Sequence, residues 1–90
     1  MEEIDEIRLS IDLIDSQMAV LFEARMKEVA KIAALKAENA LPVSDSGRES
    51  AIMEKNCSLI KTDGIRPFFE RFYDNVISLS KEYQRTLNEK

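Results

Sequence analysis

IDEIRLSIDLIDSQMAVLFEARMKEVAKIAALKAEN, residues 4–39, contains neither proline nor glycine, and its apolar residues keep one spacing along most of its length. Ile4, Ile7, Ile11, Ile14, Met18 and Leu21 alternate steps of three and four, and the pattern resumes at Val29, Ile32 and Leu35. That is the repeat of one helix face. A single helix running to about Asn39 reaches on the order of 50 Å at 1.5 Å per residue, far more than a compact monomer of this length needs. Its stripe calls for a partner helix.

Outward from this helix the chain turns in few places, because it holds only two glycines and two prolines. The stretch NALP ends the first helix. SDSGRE then offers Ser46 and Glu49 as a capping box for a second helix through roughly Ile60, with Asp45 near its positive end. In TDGIRP, Gly64 suits a left-handed helix terminus and Pro67 suits the first turn of a third helix. Phe69, Phe72, Tyr73, Val76 and Ile77 form the stripe of that helix, which runs on toward Leu87. The expected fold is all-α, one domain over residues 1–90, with one long N-terminal helix, one short and one medium, of about 36, 15 and 21 residues.

Composition bounds the function. Hydrophobic residues make up 44% and charged residues 33%, a globular balance, yet so short a chain buries a modest core and gains from self-association. Seventeen acids against thirteen bases give a net charge of −4, which argues against nucleic acid or an anionic membrane as partner. Histidine is absent and Cys57 is the only cysteine. Disulfide frameworks, His or Cys zinc sites and Ser-His or Cys-His nucleophile pairs are thereby excluded within one chain, and Cys57 reads as a passive helix residue. The acidic, amphipathic start MEEIDEIRLS has no basic and apolar leader pattern, so the expected location is the cytoplasm.

Several polar residues sit where a stripe should be apolar. Arg25 lies at heptad distance from Ile4, Ile11, Met18 and Ile32, a position reserved for an apolar side chain. Lys36 follows eleven residues later, within roughly 20° of the same face and about 16 Å along the axis. Arg8 is about 25 Å and roughly 100° away from Arg25, so it joins their site only from a second, antiparallel chain. Ser80 and Gln84 continue the Ile77 face of the third helix, and Arg48 and Glu49 open the second. Together these groups suit a small anionic ligand. Taken one at a time, Arg8, Lys36 and Arg48 read equally well as solvated charges, Ser46 with Glu49 as a cap, Asp45 as a helix-dipole partner, and Ser80 and Gln84 as exposed polar residues.

The order of these residues resembles the all-helical, AroQ-type chorismate mutases over nearly the whole chain. IDEIRLSIDLIDSQMAVLFEAR is similar to that family's opening helix, with Arg8 and Arg25 in place. LKAENALPVSDSGRE is similar to its lysine, its proline-containing turn and its D-x-x-R-E segment, and SLSKEYQ to its closing Ser-x-x-x-Gln. The resemblance implies an intertwined helical-bundle homodimer that performs the Claisen rearrangement of chorismate to prephenate, on the route to phenylalanine and tyrosine, with no cofactor or metal. It implies that Arg25 and the partner chain's Arg8 hold the two substrate carboxylates, supported by Arg48, and that Lys36 and Gln84 donate to the ether oxygen. Glu49, with the backbone near Asp45, receives the ring hydroxyl, and Ser80 contacts a carboxylate. A stand-alone mutase is the expected form. An isochorismate pyruvate lyase on the same fold, and a non-catalytic helical dimer that docks onto a pathway enzyme, are the alternatives.

Overall fold

A computed structural model describes residues 2–89 and places them in three helices, α1 (Glu3–Glu38), α2 (Ser46–Cys57) and α3 (Arg66–Asn88), with no strand among the described residues. The helices hold 36, 12 and 23 residues. At about 1.5 Å per residue an unbroken α1 measures about 54 Å, and it sets the long dimension of a molecule measuring 55 × 27 × 14 Å. No helix among the described residues is long and apolar enough to cross a membrane.

α3 packs against both α1 and α2. The buried apolar residues are Ala33 of α1 with Val76 and Ile77 of α3, so packing is concentrated near the C-terminal half of α1. Every described residue before Arg25 is exposed. Phe69 and Tyr73 stack with ring centroids 5.5 Å apart, and the Tyr73 hydroxyl accepts a hydrogen bond from Asn56 Nδ2 at 3.0 Å, which ties the end of α2 to α3.

α1 ends where NALP predicts, with Asn39 as its C-cap, and the helix ends around α2 differ from the sequence expectation in three places. α1 closes with Ala40 at φ 53°, while the Leu41 amide donates to the Lys36 carbonyl at 2.8 Å and the Ala40 amide to that of Ala37 at 3.3 Å. This is a Schellman turn with alanine in the position that glycine usually takes. Gly64, expected to be left-handed, has no positive φ. Arg66 does the work there instead: its guanidinium donates to the carbonyls of Cys57 (3.3 Å) and Ile60 (2.6 Å) and to Asp63 (2.8 Å). α2 accordingly stops at Cys57 rather than near Ile60.

The third correction concerns the start of α2. Asp45, not Ser46, is the N-cap; its Oδ1 accepts from the Arg48 amide at 3.1 Å. Glu49 reaches back so that its Oε2 accepts from the Asp45 amide at 2.9 Å. The reciprocal cap that the sequence suggests is therefore made one residue earlier, because a carboxylate is a stronger acceptor than a hydroxyl for the free amides of a first turn.

Candidate active site

The C-terminal half of α1, the first turns of α2 and the second half of α3 enclose a cavity of about 210 Å³. α1 contributes Arg25 and Lys36, α2 contributes Arg48 and Glu49 with Asp45 at its cap, and α3 contributes Ser80 and Gln84. Seven of the eight residues singled out in the sequence thus meet in one place. Val29, Ile32, Ile52 and Ile77 supply apolar walls between them.

Arg25 approaches α3 through two contacts. Its Nη1 donates to Ser80 Oγ, and its guanidinium lies 6.0 Å from the centroid of the Tyr73 ring, within cation–π range. Ser80 in turn donates to the Val76 carbonyl at 2.7 Å and is only 4% exposed. The hydroxyl therefore receives from the cation and gives to its own helix, which fixes the guanidinium in the cavity wall.

Lys36 sits in the last turn of α1, where a cation favours the negative end of the helix. Its carbonyl takes the Leu41 amide and its ammonium donates to the Val43 carbonyl at 2.7 Å. One residue thereby shapes the α1–α2 connection and brings a positive charge to the cavity. Gln84 faces it from α3, 6% exposed, with its Oε1 buried and without a partner. A buried amide oxygen left unpaired costs about 1–3 kcal/mol, and half a turn of the amide would present NH2 donors at the same place. Gln84 is poised for a ligand.

Glu49 has both carboxylate oxygens engaged. Oε2 takes the Asp45 amide, and Oε1 takes Lys81 Nζ at 3.0 Å. The Asp45 amide first, and the Lys81 ammonium second, hold the Glu49 carboxyl below its ordinary value of 4.5; partial burial opposes them, and the Lys36 charge adds a smaller pull. Glu49 is an acceptor at neutral pH, and a carboxylate with about four lone-pair sites retains capacity for a further donor. Asp45, by contrast, spends its side chain on the Arg48 amide, its own amide on Glu49 and its carbonyl on the Glu49 amide at 2.9 Å, all within the start of α2.

Arg8 does not join this group. It lies on the exposed first third of α1, where Nη1 is 3.9 Å from Asp5 Oδ1 and the side chain is 71% exposed. Sequence reasoning also passed over Lys81 and Glu28, both of which line the cavity. Lys81 follows Ile77 by four residues, and that helical spacing was the available signal. Four cations from one chain, Arg25, Lys36, Arg48 and Lys81, surround a buried amide and a carboxylate. No proton shuttle or nucleophile pair stands among these residues, so the arrangement is suited to gripping an anion and stabilising developing negative charge.

Residues 7–85 match the model of the family described as chorismate mutase type II. No curated protein and no solved structure matches the chain.

Proposed function

The chain belongs to the chorismate mutase type II family, an isomerase family, and we propose that it converts chorismate to prephenate by restraint and electrostatics alone. In this rearrangement the ether C–O bond breaks as a new C–C bond forms, and no proton or electron is exchanged with the protein. The catalyst has two tasks: to hold the chain of reacting atoms in a folded conformer, and to stabilise the negative charge that grows on the ether oxygen. Arg25, with Ser80 behind it, grips one carboxylate, Arg48 reinforces the positive field, Lys36 and Gln84 donate to the ether oxygen, and Glu49 accepts the ring hydroxyl beside the Asp45 backbone. The observation that carries this reading is the meeting of Arg25, Lys36, Arg48, Glu49 and Gln84 around one cavity.

With Arg25 on one carboxylate, Lys36 on the ether oxygen and Lys81 paired with Glu49, the second carboxylate calls for a further guanidinium. We assign it to Arg8 of a second copy in an intertwined dimer. Two features support that assembly. Ile4, Ile11 and Met18 lie about half a turn around the helix from Leu9, Leu13 and Val20 at 100° per residue, and all six are exposed. A helix that is apolar on opposite faces is stabilised by being covered on both, which a partner wrapped around it achieves better than one laid alongside. An apolar groove lined by Met18, Phe22, Phe69, Phe72 and Val76 offers a place for the partner's helix.

The test is direct: purified protein with chorismate and no added cofactor or metal, following loss of its absorbance and identifying the product by acid conversion to phenylpyruvate. Prephenate is the expected product. Chorismate left intact by folded, dimeric protein would overturn the assignment.

A further inference from the structure

Among the described residues, the ion pair between Lys81 and Glu49 is the one that joins two different helices; the others link residues three or four apart along the chain. It spans α3 to α2 at 3.0 Å, and each side chain is 25% exposed. A single pair that still reaches solvent adds little to stability. Its placement is what matters, because both partners line the cavity and Glu49 is the carboxylate to which the proposed reaction assigns the substrate hydroxyl.

We propose that Lys81 is a positioning residue: by holding Glu49 Oε1 from α3 while the Asp45 amide holds Oε2, it fixes the carboxylate with its remaining lone pairs toward the substrate hydroxyl. The inference rests on the mutase reading and adds a residue to it. The geometry is a two-point clamp. The Asp45 amide alone leaves the carboxylate free to swing about one contact, whereas a second contact from another helix determines its plane. Glu49 is surrounded by Asp45 and Arg48 on its own helix, by Lys36 and Glu28 from α1 and by Lys81 from α3, and Arg85 of α3 lies close by, donating to Ser44 Oγ at 3.3 Å. Of these cations, Lys81 is the one hydrogen-bonded to it.

The same contact sets the acid side of the pH profile. Lys81 lowers the Glu49 carboxyl, so its removal lets that value rise, and the acceptor is lost to protonation at a higher pH than in the parent protein. Lys81→Met should therefore shift the titration of the Glu49 carboxylate, followed by carboxyl-carbon NMR, to higher pH, and Lys81→Arg should restore it. In turnover, Lys81→Met should lower kcat by about tenfold near neutral pH, within the range of coupling between contacting residues, and shift the acid limb of kcat/KM upward. The decrease should disappear when Lys81→Met is made in a Glu49→Gln background, since a residue acting through Glu49 has nothing left to position. An unchanged Glu49 titration, or an equal tenfold loss in the Glu49→Gln background, would overturn the proposal. If the parent protein leaves chorismate untouched, the mutase reading fails, and the NMR titration still decides whether Lys81 holds Glu49.

Discussion

Gln84 and Lys36 are both proposed as donors to the ether oxygen, and one substitution at each tests that role. An amide donates a hydrogen bond at any ordinary pH, whereas a carboxyl does so only when protonated. Gln84→Glu should therefore retain turnover mainly at low pH, where the new side chain carries its proton, and lose it as the medium becomes neutral. A pH profile of kcat/KM checks this, and a flat profile would remove Gln84 from the ether oxygen. Lys36→Ala should lower kcat by about 10²-fold or more, the usual scale for a preorganised electrostatic donor. Because Lys36 also holds the Val43 carbonyl, circular dichroism and a thermal melt must accompany the kinetics; near-normal turnover in a folded variant would place the charge stabilisation elsewhere.

Ala40 shows what an element's ends can cost. An alanine at φ 53° adopts a conformation that disfavours any residue with a Cβ by roughly 1–2 kcal/mol, and glycine recovers part of this while losing more entropy on folding. Ala40→Gly should therefore stabilise the protein by about 0.5–1 kcal/mol net, read as a higher denaturant midpoint with an unchanged slope. The helices themselves were legible because a face repeats many times: the steps from Ile4 to Leu35 and from Phe69 to Ile77 each over-determine one periodicity. Ends are fixed by single contacts. Ser44, Asp45 and Ser46 are all good caps, and only the packed chain selects Asp45. Gly64 looked like the helix stop because local rules favour it, yet the Arg66 guanidinium, nine residues beyond Cys57, satisfies the carbonyls instead. In the site, the residues that break the apolar stripes were legible because a charge in a seam demands compensation. Lys81 was not, since its contact with Glu49 crosses 32 residues and only the approach of α3 to α2 creates it.

The whole molecule presents a mismatch between length and core. A buried valine or isoleucine contributes roughly 1.5–3 kcal/mol, and among the described residues one of each with an alanine forms the buried apolar set, while the first half of α1 carries a row of exposed isoleucines and leucines. An assembly that covers this row would join the exposed Arg8 of one chain to the Arg25, Lys36 and Arg48 cavity of the other, so each site would need both copies. Arg8→Ala and Arg25→Ala should therefore each abolish most turnover when homodimeric. When the two inactive variants are mixed and refolded together, half of the sites in each heterodimer carry both substitutions and half carry neither. With random pairing half of the dimers are heterodimers, so about a quarter of all sites should regain the parent's kcat, a figure that follows from two-fold symmetry. The mixture should approach that fraction while each variant alone remains near background. Heterodimers shown by native mass spectrometry to form, yet without recovered activity, would mean that Arg8 and Arg25 serve the same site from one chain, whereas an Arg8→Ala protein that keeps its turnover alone would mean that Arg8 serves none. Unfolding supplies an independent reading of the same assembly: its midpoint should rise with protein concentration, as it does for a chain whose folded state is coupled to association.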